Sequence, residues 1–262
     1  GLLDTDEGGQ DIYGTEKLNG LLDIAIGRLP VETLFEAQTV VNKIIEYSEN
    51  PKLDSWKNEL TFMGDDADTP GDAILQKQAY ALSQIVANKY PWFNNNLILL
   101  DTYQQVSTPA GQRYPAVKDA VNSIIHRGTL LFNYTGHGGP NQLAHEAVVD
   151  KIMVNNWKNK EYLPFFMTAS CEVARYDDHS KKSLGELILL NPEGGAVSLF
   201  TTTRAVYISG NHNLSTVFYN RIFERTVDGN YSTIGEIMVD SKNQMGSTLP
   251  NHRKFTLLGD PS

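Results

Sequence analysis

Thr129-Leu130-Leu131-Phe132-Asn133-Tyr134 runs directly into Thr135-Gly136-His137-Gly138-Gly139. The first six residues have the aliphatic, β-branched and aromatic content of a buried strand. The glycines that follow break it and leave a histidine at its carboxyl end. The same grammar recurs along the chain. Pro164 to Thr168 leads into Ala169-Ser170-Cys171-Glu172, and Ala196 to Phe200 into Thr201-Thr202-Thr203-Arg204. Leu60-Thr61-Phe62-Met63 leads into the acidic loop Gly64-Asp65-Asp66-Ala67-Asp68, Leu97 to Leu100 ends at Asp101, and Leu21 to Gly27 reads as a further short strand.

Helical periodicity fills the gaps. Ala37, Val40, Val41, Ile44 and Ile45 lie one helical face apart, behind a capping box at Thr33 to Glu36 and before a stop at Asn50-Pro51. Leu75, Ala79, Leu82 and Val86 mark a second helix, and Val117, Val121, Ile124 and Ile125 a third. Strands alternating with helices predict an α/β fold, a mainly parallel sheet with helices on both faces. Such sheets bind ligands at the carboxyl ends of their strands. Those ends carry Asp65, Asp101, His137, Cys171 and Thr202.

Composition narrows the classes. The chain has 262 residues, 40% hydrophobic, with 21 Gly and 11 Pro, enough to build a core. Its net charge of −9 and lack of a Lys/Arg cluster argue against a nucleic-acid partner. One cysteine, Cys171, excludes an intrachain disulfide and any zinc site of two or more thiolates. No apolar run reaches membrane-spanning length. The chain opens on Gly1 and reads as a piece of something longer.

Cys171 and His137 form the natural reactive pair. A thiol needs a base or a lowered pKa to become a nucleophile, and an imidazole titrates near neutrality. The bare backbone at Gly138 and Gly139 offers N–H groups to a developing oxyanion, together with the N–H of Cys171. Asp65, also at a strand end, is expected to orient the histidine, with Asp66 and Asp68 as rivals. The same acidic loop suits a structural calcium ion, although it lacks the EF-hand spacing; no cofactor is required and no other metal is expected. Arg175-Tyr176-Asp177-Asp178-His179 reads as a surface turn, and His145-Glu146 as the rim of a cleft. Gly-x-Ser-x-Gly, phosphate loops and dinucleotide fingerprints are absent.

Asn133-Tyr134-Thr135-Gly136-His137-Gly138-Gly139 followed by Ala169-Ser170-Cys171-Glu172 resembles the gingipain family of cysteine peptidases, which has a caspase-like fold. The resemblance extends to Gly27-Arg28-Leu29-Pro30, Gly64-Asp65-Asp66 and Phe255-Thr256-Leu257-Leu258-Gly259-Asp260-Pro261. It implies Cys171 as nucleophile, His137 as catalytic histidine, Gly138 and Cys171 at the oxyanion position, and Asp65 as the acid. It also implies that residues 1–54 end a first subdomain and 55–262 form the catalytic one. Thr202, Arg204 and Tyr207 match the segment that walls the specificity pocket, and the last two depart from the gingipain pattern, against an Arg or Lys preference. Gln105-Val106-Ser107-Thr108, Leu143-Ala144-His145-Glu146 and Asn191-Pro192-Glu193-Gly194-Gly195 are similar to the branch of that family that serves type IX secretion as a surface sortase. That branch implies cleavage of the C-terminal signal domain of secreted cargo and its transfer to anionic lipopolysaccharide. The implied location is the outer-membrane surface or extracellular space, among other type IX components. A plain secreted peptidase and an inactive scaffold that binds signal domains are the alternatives.

Overall fold

A computed structural model describes residues 21–49, 54–245 and 251–262. The strands, in chain order, are β1 (Gly27–Arg28), β2 (Glu59–Gly64), β3 (Asn94–Leu99), β4 (Val106–Thr108), β5 (Gly111–Arg113), β6 (Leu131–Thr135), β7 (Gln142–Leu143), β8 (Val149–Asp150), β9 (Phe165–Ala169), β10 (Ser198–Thr202) and β11 (Phe255–Leu258). Seven of them form one sheet in the order β1-β11-β10-β9-β6-β2-β3, and β4-β5 and β7-β8 are separate two-stranded pairs. From β10 to β3 the pairing is parallel; β11 runs antiparallel to β10, and β1 parallel to β11. The expected mainly parallel α/β sheet is therefore present.

Eight helices accompany these strands among the described residues: α1 (Leu34–Glu49), α2 (Ala73–Lys89), α3 (Pro115–Arg127), α4 (Lys151–Asn155), α5 (Leu184–Leu190), α6 (Ile208–Arg221), α7 (Ile234–Met245) and α8 (Asn251–Lys254). They divide by face. Met63, Phe132, Phe166 and Leu199 of the sheet pack with residues of α1, α3, α4 and α5. Their strand neighbours Phe62, Leu131, Met167 and Phe200 point the other way and pack with α2, α6 and α7. The central strands are buried on both sides, so they read as continuous apolar runs rather than as an alternation.

Two local expectations change. The strand read over Leu21 to Gly27 shrinks to Gly27–Arg28. Farther upstream, both backbone groups of Leu22 bond the Asn243 side chain of α7, at 2.7 and 2.9 Å, in place of a sheet neighbour. The cap of α1 is shifted: Thr33 Oγ1 accepts from the Glu36 N–H, but Glu36 Oε2 accepts from Glu32 rather than Thr33. The stop at Asn50-Pro51 lies outside the described residues, and α1 is described to Glu49. Gly27 and Arg28 join the same sheet as the remainder, through β1 on β11.

Candidate active site

β6 and β9 are neighbours in register, Thr135 beside Ala169. Gly136-His137 and Ser170-Cys171 therefore leave the sheet side by side. Both residues of the expected pair line one cleft of 590 Å³, with Leu75 and Gln78 of α2 and Val206 and Tyr207 on its walls. Cys171 is half-buried. Its Sγ accepts from the Val206 N–H at 3.5 Å and lies 3.9 Å from the Val206 carbonyl oxygen. The next residue, Glu172, has φ 53°, in the left-handed region that a non-glycine residue adopts only when its surroundings enforce it. Its N–H donates to the Arg204 carbonyl, and Thr202 Oγ1 donates to the Ser170 carbonyl, so the turn bearing the thiol is held from both sides.

His137 is fixed through backbone and ring separately. Its N–H donates to Asp65 Oδ2 at 2.7 Å, and its carbonyl accepts from Tyr134 Oη and the Ala144 N–H. Ring Nε2 faces Asp72 Oδ1 at 3.1 Å. The acid that orients the imidazole is thus Asp72, not Asp65, nor Asp66 or Asp68. Hydrogen bonds from Thr69, and then from His137, hold the Asp72 carboxyl below the usual carboxylate range. An ionised carboxylate at Nε2 places the ring proton there and leaves the Nδ1 lone pair free in the neutral imidazole. Asp65 is deeply buried, and that burial pushes its carboxyl up to about 8 against the opposing pull of the His137 N–H. Asp68 instead meets Nδ1 of His145 at 2.5 Å, and the His145 ring stacks on His137 at 5.1 Å and 11°.

The glycines have distinct duties. A Cβ on Gly136 would fall 2.4 Å from both Asp65 Cβ and Tyr134 Oη, so only glycine lets β6 pass the acid. The Gly139 N–H is engaged by the Gln142 carbonyl at 2.9 Å. Gly138 lies opposite Leu143 in a bridge whose hydrogen bonds are made by the residues on either side, which leaves its own N–H outside the pairing. Of the two expected glycine donors, Gly138 remains for an oxyanion and Gly139 does not.

The three expected specificity residues separate. Tyr207 lines the cleft and is exposed. Thr202 is fully buried beneath the Cys171 turn. Arg204 points to Asp177, Nη1 to Oδ1 at 3.0 Å, and its guanidinium pulls the Asp177 carboxyl down to about 2. Sequence reading missed Asp72, whose one local signal is the turn Thr69-Pro70-Gly71 before a helix. It missed Gln78, buried against the cleft, because helical periodicity marks only the apolar face.

The family model for peptidase family C25 matches residues 1–262. A search of curated proteins finds no match. Among solved structures, the Arg-specific cysteine proteinase gingipain R (RgpB) is similar at TM-score 0.73 and 16% identity, over 92% of this chain and 55% of that one. The complex of Porphyromonas gingivalis RgpB pro- and mature domains gives TM-score 0.74 and 14% identity, over 96% and 59%. The Saccharomyces cerevisiae separase–securin complex gives TM-score 0.57 and 14% identity, over 92% and 14%. The chain thus spans somewhat more than half the length of the gingipain structures it matches.

Proposed function

We propose, from the premise that this chain belongs to peptidase family C25, a family of gingipain-like cysteine peptidases, that it cleaves secreted cargo through a thioester on Cys171. One observation carries the reading: the thiol and an imidazole with its tautomer set by Asp72 open into the same cleft from adjacent strand ends. His137 Nδ1 takes the thiol proton as Sγ attacks the scissile carbonyl carbon. The N–H groups of Gly138 and Cys171 receive the oxyanion. The C–N bond then breaks, the proton passes from His137 to the leaving amine, and the acyl group stays on sulfur.

The finer reading follows the resemblance to the PorU branch. The bond cut precedes the C-terminal signal domain of a type IX cargo, and an amine of anionic lipopolysaccharide resolves the thioester at the outer-membrane surface. In that case the amine attacks the thioester carbon, loses its proton to His137, and the thiolate leaves. The gingipain-like family supports a secreted or surface location.

Mass spectrometry of one reaction tests both levels. The active parent protein is incubated with a cargo bearing its signal domain and a small amine, beside a Cys171→Ala variant. Cargo carrying the amine at its new C-terminus is the expected product. A free carboxylate alone would return the reading to a hydrolase, and cleavage by the Cys171→Ala variant would refute the thioester.

A further inference from the structure

The cleft beside Cys171 holds two buried carboxamides that the chemical steps do not use. Gln78 lines it from α2 and Asn211 from α6, and they are 6 and 5% exposed. Asn211 is anchored: its Oδ1 accepts from Asn251 Nδ2 at 2.9 Å, so the group it has to offer a ligand is the donor Nδ2. Gln78 is not anchored: its Oε1 is buried without a hydrogen-bond partner. Ile74, Leu75 and Val206 supply apolar wall, and among the described residues the lining holds no Asp, Glu, Lys or Arg.

A buried acceptor without a donor is costly, and a ligand that brings the donor removes that cost. Three kinds of side chain fail to do so well. A cationic or an anionic one loses its hydration and meets no opposite charge in the lining. An aliphatic one fits the apolar wall but leaves Gln78 Oε1 unpaired. A carboxamide is neutral and carries two donors and an acceptor, so it can give an N–H to Gln78 Oε1 and take one from Asn211 Nδ2. We propose that Gln78 and Asn211 select substrates with asparagine or glutamine immediately before the cut bond. The proposal rests on the reading of Cys171 as a peptidase nucleophile and names the substrate class of that same site. Gln78 is a specificity-determining residue in it, since its amide meets the substrate side chain and not the scissile carbonyl.

The test uses the full chain and peptidyl acyloxymethyl ketones that differ only in the residue before the reactive ketone: Asn, Gln, Leu, Asp or Lys. Cys171 Sγ displaces the acyloxy group as a carboxylate and forms a thioether, which mass spectrometry of the intact chain counts. Each rate is divided by that of iodoacetamide on the same protein, which removes differences in thiol reactivity. An Asn or Gln reagent should label Cys171 about tenfold or more faster than the Leu, Asp and Lys reagents, the scale of a buried hydrogen bond made or left unmade. Gln78→Leu and Gln78→Met, both close to the parent side chain in size, should lose most of that preference. Gln78→Glu should raise the rate of the Lys reagent. A Leu, Asp or Lys reagent that matches or exceeds both carboxamides on the parent would overturn the proposal. A carboxamide preference unchanged in both apolar variants would overturn the role of Gln78. Labelling by iodoacetamide but by no peptidyl reagent would refute the peptidase reading itself, and the proposal with it.

Discussion

Asp65 and Asp72 lie seven residues apart and both touch His137, yet they act on different atoms. Asp65 holds the backbone N–H and Asp72 the ring. Only the second contact sets which nitrogen carries the proton. Replacing Asp72 by Asn keeps the shape and removes the charge that favours the Nε2 tautomer and the imidazolium. The expected result is a loss of about 10- to 100-fold in kcat with KM little changed. This is smaller than the roughly 10⁴ of a serine triad, because a thiol ionises more readily than a hydroxyl. Asp72→Glu, which restores the charge, should recover part of the rate. An Asp72→Asn enzyme as fast as the parent would leave Asp72 a structural residue. This division of labour was not legible in the sequence. Asp65 follows a strand, where periodicity points. Asp72 reaches the ring only because the turn at Thr69 to Gly71 folds back, and turn geometry of that kind leaves no periodic trace.

At the scale of elements, the cleft is walled by α2 and by the segment entering α6, and among the described residues its lining includes no Asp or Glu. Gln78 is buried there with its Oε1 unpartnered. An arginine or lysine side chain entering this cleft would lose its hydration with no carboxylate in the lining to offset it. Peptides with an uncharged residue before the cut bond should therefore exceed their Arg and Lys counterparts in kcat/KM by about tenfold or more, the factor that about 1.4 kcal/mol of differential binding gives. A matched peptide set measures the ratio, and a preference for Arg would refute the inference. A second element-level device is Lys43, buried on α1, whose Nζ donates to the carbonyls of Leu189, Asn191 and Gly194 at 2.8, 3.2 and 2.8 Å. Burial pushes its ammonium down to about 7, while three acceptors match its three N–H groups. Lys43→Met keeps the stem and strands the three carbonyls, and urea unfolding should show a loss of about 2–4 kcal/mol. A loss under about 0.5 kcal/mol, the size of an ordinary surface change, would show the carbonyls finding other donors. The strands carrying the chemistry were legible to within two or three residues, because buried parallel strands are continuous apolar runs. α7 and β11 were not read as elements, since α7 mixes charged residues into its apolar face and β11 has only four residues.

Across the whole molecule, the sheet separates two cores whose side chains alternate along every central strand. Phe132 and Phe166 stack at 4.9 Å on the face shared with α1, α3, α4 and α5. Phe218 of α6 lies in the opposite core, against Phe165 and Phe200. Dispersion and cavity effects act between touching groups, so each core should respond to substitution within itself and little across the sheet. Two double-mutant cycles in urea distinguish the cases. Phe132→Leu with Phe166→Leu should show a coupling of about 0.5–1.5 kcal/mol, the value of an aromatic pair beyond its buried area. Phe166→Leu with Phe218→Leu should add to within about 0.5 kcal/mol. Strong coupling across the sheet would mean that the backbone of β9 shifts when either core is thinned. The Cys171 turn would then move with it, since Cys171 lies two residues past the last residue of that strand.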